Sequence, residues 1–224
     1  YAPVKKLTAP RDTTVIGQEA AFLMMGWSFP GAASAQNDTL SVIDNILSNG
    51  KAGLFDLNVN QKMKCQYAQS ILGSMNEYTP FIIYGQPMPE QSLKDVRDII
   101  LAEIEKLKKG EFSDDLLPSV INNLKLDYNT SLESNEWRAN QFVDAFINGE
   151  KWEDKVDYIN RVSKITKKQL MAFAQKYFND DYAIVYKEEG IDNTQKKIDK
   201  PQITAIHSNR DMQSAFVAEI VNSK

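Results

Sequence analysis

A chain of 224 residues with 42% hydrophobic and 10% aromatic residues can fill a substantial core, which excludes a disordered segment and fits one large domain or a domain with an appendage. Its formal net charge of −4 excludes a surface built to neutralise nucleic-acid phosphates. With one histidine, His207, and one cysteine, Cys65, no zinc motif that needs paired His or Cys ligands can form, and a Ser-His-Asp or Cys-His apparatus would depend on a histidine in a polar stretch.

Residues up to Gly17 are polar, with Pro3 and Pro10, and are expected to be an extended lead-in. Ala20 to Ser28 is an apolar run stopped by Phe29-Pro30-Gly31, which predicts a buried strand and a turn. Gln36-Asn37-Asp38 then offers caps for a helix with Leu40, Ile43, Ile46 and Leu47 at helical spacing, ended by Asn49-Gly50. A short helical stretch over Leu54–Val59 precedes two strands, 65–72 and 79–85, which predict an antiparallel hairpin.

Ser92 caps a predicted helix with Val96, Ile100, Ile104 and Leu107 on one face and Gly110 at its end. A second helix starts at Ser113 and carries Leu117, Ile121, Leu124 and Tyr128, with Pro118 tolerated in its early turns. Trp137, Phe142, Ala145 and Phe146 mark a third, stopping at Asn148-Gly149, and Trp152, Val156 and Ile159 a fourth. The helical spacing of these aromatic residues predicts that they belong to the core.

Thr166 and Gln169 form a capping-box pattern before Leu170, Phe173, Ala174 and Tyr177, and Tyr182–Tyr186 predicts a last strand. The mixed order predicts an α+β fold, a mostly antiparallel sheet packed against several helices. The domain is expected to span 1–189, followed by a linker and an amphipathic docking helix within 190–224, around Met212, Ala215, Phe216, Glu219 and Ile220. Lysine clusters at Lys106, Lys108 and Lys109, at Lys164, Lys167 and Lys168, and at Lys196, Lys197 and Lys200 sit at helix ends or in loops, where they are expected to be solvated.

No apolar run reaches the ~18 residues of a membrane span. The start, Tyr1-Ala2-Pro3-Val4-Lys5-Lys6, lacks both an initiator methionine and the charged-then-apolar order of a secretory signal, as expected of a processed product or a piece of a longer protein.

The ordered set of strand 20–28 with Pro30-Gly31, helix 40–47, the small-residue loop Ser48-Asn49-Gly50-Lys51-Ala52-Gly53-Leu54, Tyr67, Ile104–Gly110, Phe112-Ser113, Trp152–Tyr158 and Val162–Thr166 resembles a C-terminal-type repeat of the pitrilysin/insulinase zinc metallopeptidases. The resemblance covers most of residues 15–188. In that family two homologous halves close around a peptide, and one half carries H-x-x-E-H on a helix whose Glu activates a zinc-bound water. The matching helix here, Leu40–Leu47, has no histidine, so the resemblance implies a non-catalytic repeat with no catalytic or metal-binding residue. Zinc would lie in a partner repeat of the same protein, and the bound partner would be a peptide.

The family pairs an Arg with a Tyr seven residues later to contact substrate; Tyr67 stands at the Tyr position and Asn60 at the Arg position. These two are the candidate substrate-binding residues, and the loss of the charge at Asn60 weakens any part in stabilising a transition state. Tyr67 is better explained as a half-buried strand residue with a satisfied hydroxyl. Two other functions fit the same residues. One is a non-peptidase assembly subunit of this fold, which an upstream H-x-x-E-H would exclude; the other is a module that binds extended peptides by strand addition.

Overall fold

The computed structural model describes residues 5, 7–194, 200–204, 209 and 212–223. His207, Lys196, Lys197 and most of the first six residues lie outside the described residues. The chain forms two compact units, Tyr1–Ile191 and Asp192–Lys224.

The first unit is built on a five-stranded sheet in the order β1-β5-β2-β4-β3. Its strands are β1 (Arg11–Gly17), β2 (Phe22–Pro30), β3 (Tyr67–Leu72), β4 (Tyr78–Gln86) and β5 (Ala183–Glu189). β2 pairs antiparallel with β4 and β5, and β3 antiparallel with β4. The exception is β1, read from sequence as an extended lead-in: it is a strand, parallel to β5, with Arg11 opposite Ala183 and Gly17 opposite Glu189. Its β-branched run Thr13-Thr14-Val15-Ile16 favours extended backbone, but the strand is nearly all exposed and lacks the apolar alternation that would reveal it.

Alternation divides the sheet into two faces. Leu23, Met25, Trp27 and Phe29 of β2, Phe81 and Ile83 of β4 and Ile184 of β5 are buried against helices in one continuous core. The covering helices are α1 (Gln36–Leu47), α2 (Leu93–Lys109), α3 (Leu116–Ser131) and α7 (Lys167–Tyr177). Capping boxes open α2 at Ser92 and Asp95 and α7 at Thr166 and Gln169, satisfying first-turn donors that would otherwise need water. Phe178, just past α7, is the hub of the aromatic core, with ring centroids 5.1 Å from Trp27, 5.7 Å from Phe29 and 5.0 Å from Phe81. The Trp27 indole N–H donates to the Asn179 carbonyl at 2.9 Å, so its one polar atom is satisfied at the same junction.

Three expectations need correction. The expected Gln36-Asn37-Asp38 set does not cap α1: Ser34 Oγ accepts from the Gln36 N–H at 3.3 Å, and Asn37 donates to the carbonyls of Gly31 and Ala32 at 2.7 and 3.1 Å, tying the helix to the turn before it. The predicted helix over Trp152, Val156 and Ile159 is two short ones, α5 (Trp152–Val156) and α6 (Tyr158–Val162), meeting at Asp157. The aromatic residues around them are largely surface rather than core: Phe142 is 59% exposed and Phe146, on α4 (Asn135–Asn148), 89%. Helical spacing shows that residues share a face, not that the face is covered.

In the second unit, α8 (Ala215–Asn222) is amphipathic and capped by Ser214, with Met212 preceding it rather than within it. Among the described residues no helix is long and apolar enough to cross a membrane.

Candidate functional site

The face of the sheet turned away from the helices carries Phe22, Met24, Tyr67, Gln69, Ile71, Ile82, Tyr84 and Val185. They stand in cross-strand rows: Gln69, Tyr84, Met24 and Val185 are successive partners across four strands. Tyr67 is 42% exposed on this face, and its hydroxyl donates to Gln69 Oε1 at 2.8 Å. That partner is itself a surface side chain, so the phenol can exchange it for another acceptor at little cost.

Asn60 has a different environment. It ends a π-helical turn, Asp56–Asn60, whose polar residues are each anchored separately. Asp56 Oδ2 accepts from the backbone N–H groups of Asn49 and Gly53 at 2.9 and 3.0 Å, folding the loop after α1. Gly53 is required there, because a Cβ would lie 2.5 Å from the Leu47 carbonyl oxygen. Asn58 donates to the buried Glu103 of α2 at 2.8 Å. Asn60 accepts from Ala68 N–H at 2.8 Å and donates to the Ala68 carbonyl at 2.9 Å, making with one side chain the pair of bonds that a neighbouring strand would make. Ser48 Oγ accepts from the next outward N–H, that of Ser70, at 2.9 Å. The outer edge of β3 is therefore occupied at Ala68 and Ser70 by the chain's own side chains. The structure thus holds Tyr67 and Asn60 on the same element boundary but turns only Tyr67 toward open space.

The polar set on α1 that repeats the spacing of H-x-x-E-H is Ser41-x-x-Asp44-Asn45. Ser41 Oγ and the Tyr158 hydroxyl share a hydrogen bond of 2.7 Å, and Asn45 donates to the Ser41 carbonyl at 3.0 Å. Asp44 Oδ1 is buried without a hydrogen-bond partner, and burial pushes this carboxyl above the usual carboxylate range, with the Ser70 hydroxyl acting weakly the other way. One desolvated carboxyl, a hydroxyl and an amide do not fit a zinc ion, which takes imidazole, thiolate or several carboxylates. Among the described residues no group of three or more His, Cys, Asp or Glu side chains is placed to hold a metal.

Sequence reasoning missed a cleft of about 380 Å³ at the N-terminus of α1, roofed by α3 to α6. Four of its charges form two pairs: Arg161 grips Asp38 through two bonds of 2.7 and 3.1 Å, and Lys155 meets Glu150 at 3.0 Å. The Asp38 carboxylate holds the Arg161 guanidinium still more firmly protonated, while burial pushes the Tyr158 hydroxyl up. Asp154 and Ser74 also line the cleft, both exposed, and among the described residues no imidazole or thiol stands beside them, so it offers walls and shape rather than an activated nucleophile. Sequence spacing could not reveal it, since Asp38 and Arg161 are 123 residues apart.

Among the described residues the sheet is covered by helices on one side, and α1 carries no set of side chains that could hold a metal. The model of the peptidase M16 inactive domain matches residues 2–124, more than half of the chain, and the chain belongs to that family, of pitrilysin type. It is 24% identical over 165 residues to the zinc protease PqqE of Helicobacter pylori, covering 73% of this chain and 37% of that protein. Its fold is similar to that of a protease from Helicobacter pylori (TM-score 0.79, 22% identity, 84% of this chain and 46% of that one). It is also similar to a peptidase M16 inactive domain from Pseudomonas fluorescens (TM-score 0.70, 17% identity, 85% of this chain and 47% of that one). The chain thus spans between about a third and a half of these relatives.

Proposed function

We propose that this chain is the non-catalytic repeat of a zinc-dependent metalloendopeptidase and forms wall and scaffold of the peptide-binding chamber opposite a zinc-bearing repeat. The observation that carries this reading is the sheet face that no described element of the first unit covers, with Tyr67 upon it, together with a helix α1 that has no metal ligands. In this reading the zinc-bearing repeat supplies the metal and the general base, and this chain supplies the facing surface. Tyr67 contacts the peptide through its hydroxyl, while Asn60 acts indirectly by holding the strand that presents Tyr67.

The test is reconstitution. The zinc-bearing repeat of the same protein, mixed with this chain, is expected to cleave an unstructured fluorogenic peptide in a chelator-sensitive way, at a rate well above either component alone. Full activity of the zinc-bearing repeat without this chain would overturn the reading.

One observation favours a second reading, peptide binding by strand addition. The outer edge of β1 has no partner strand among the described residues, whereas that of β3 is filled by Asn60 and Ser48. Titrating the chain with extended peptides separates the two, since a wall without an edge site has negligible affinity for them.

A further inference from the structure

Helix α4 is apolar on the side it does not use. Trp137, Gln141, Ala145 and Asn148 form its inward stripe, with Ala145 buried and Trp137 set edge-on to Tyr128 at a centroid distance of 5.6 Å. The opposite side carries Ala139, Phe142, Val143, Phe146 and Ile147, three and four residues apart, and all of them are exposed. Between Ala139 and Ile147 this outward arc contains no charged residue; Arg138 and Asp144 lie beside it. The patch continues onto α5, where Trp152 stacks on Phe142 at 4.1 Å and Val156 follows a turn later. The outward side of α4 is thus more apolar than the side it packs with, and a folded monomer rarely leaves a contiguous apolar surface of this kind in water.

We infer that the outer face of α4 and α5 is the docking surface for the zinc-bearing repeat, an inference that rests on the function proposed above. The relatives that this chain matches are two to nearly three times its coverage in length, so in those proteins a further body of polypeptide at least as large is present to cover it. The chemistry selects a permanent neighbour over a peptide in transit. A substrate that comes and goes would leave two phenylalanines, an isoleucine and a valine in water in every resting molecule, whereas a resident domain buries them throughout. The partner that fits is a surface of aliphatic and aromatic side chains, with the polar contacts confined to the rim at Arg138, Asp144 and Lys151.

The experiment measures binding of this full chain to the tagged zinc-bearing repeat of the same protein, by calorimetry or sedimentation. The double variant Phe142→Ser/Phe146→Ser is expected to bind at least roughly thirtyfold more weakly, the loss of two central aromatic anchors. The variant should stay folded, its thermal midpoint lowered only by the loss of the Phe142–Trp152 stack, because both rings are mostly outside the core. Met63→Ser, an exposed apolar residue in the loop between Asn60 and β3, is expected to leave binding unchanged. Equal binding by the double variant would overturn the docking surface while leaving the proposed function standing. Absence of binding by the unchanged chain would overturn both. A chain that dimerises by itself, and becomes monomeric in the double variant, would overturn the inference by showing that a second copy is the occupant.

Discussion

Asn60 and Tyr67 show how two neighbouring candidates separate once their hydrogen bonds are known. Asn60 bonds both main-chain groups of Ala68, so Asn60→Ala leaves a strand N–H and carbonyl without partners. We expect a loss of about 1–3 kcal/mol in urea unfolding with an unchanged slope. Tyr67→Phe removes only a bond between surface side chains and should leave the urea midpoint within error. In the assembled enzyme proposed above, a Tyr67–peptide contact predicts that the same change lowers kcat/KM by less than about tenfold, the scale of one ordinary hydrogen bond. The third residue of interest is Asp44, whose carboxyl is raised by burial. A raised carboxyl binds its proton more tightly in the folded chain, so it favours folding below its unfolded pKa, and this advantage is lost as pH rises through the folded value. Asp44→Asn should therefore raise the thermal midpoint at pH 7, and the gain should shrink as pH falls through the raised folded value and be gone below the ordinary carboxylate range. An equal effect at pH 7 and pH 3.5 would show that charge is not the cause.

Among the elements, those that bury a regular stripe were legible in the sequence. β2, β4, α1, α2 and α7 each carry apolar residues at the period of their structure and end at Gly, Pro or a capping box, so pattern and punctuation agreed. β1 was not legible, because an exposed edge strand has no reason to alternate. The burial of α4 was misjudged for the converse reason: its apolar residues have the right period, but the surface that would cover them is not contributed by the described residues. The junction after α7 was legible only in part. Phe178 lies one residue past the predicted stripe ending at Tyr177, yet it touches Trp27, Phe29 and Phe81 from two strands. Phe178→Ala should cost about 3–5 kcal/mol, the range for an aromatic core side chain whose cavity cannot collapse. A cost below about 1 kcal/mol in chemical denaturation would mean that the cluster repacks.

At the scale of the whole molecule the candidate site was readable as a family position and not as geometry. Sequence placed Tyr67 and Asn60 by their seven-residue spacing; only the folded chain reveals that one faces open space and the other a strand. Neither cleft nor open face could be read from spacing, because both are assembled from residues more than a hundred positions apart. The absence of a second histidine or cysteine acts across the entire chain, since metal binding needs several donors at one point. The purified chain should therefore hold less than one tenth of an equivalent of zinc after dialysis, roughly the level of adventitious binding. It should cleave no peptide alone. One tightly held zinc per chain by elemental analysis would refute this.

The alternation along β2, β3 and β4 divides labour within single strands. Ala68, Ser70, Phe81 and Ile83 face the core, while Tyr67, Gln69, Ile71, Ile82 and Tyr84 face outward. Any change confined to the second set leaves the packed slab beneath untouched, so the lining can be rewritten without renegotiating the fold. A library randomised at the outward positions should yield mostly folded chains with varied surfaces, while the same diversity one residue along would yield few that fold. The strands are, in effect, a fixed frame with a replaceable veneer.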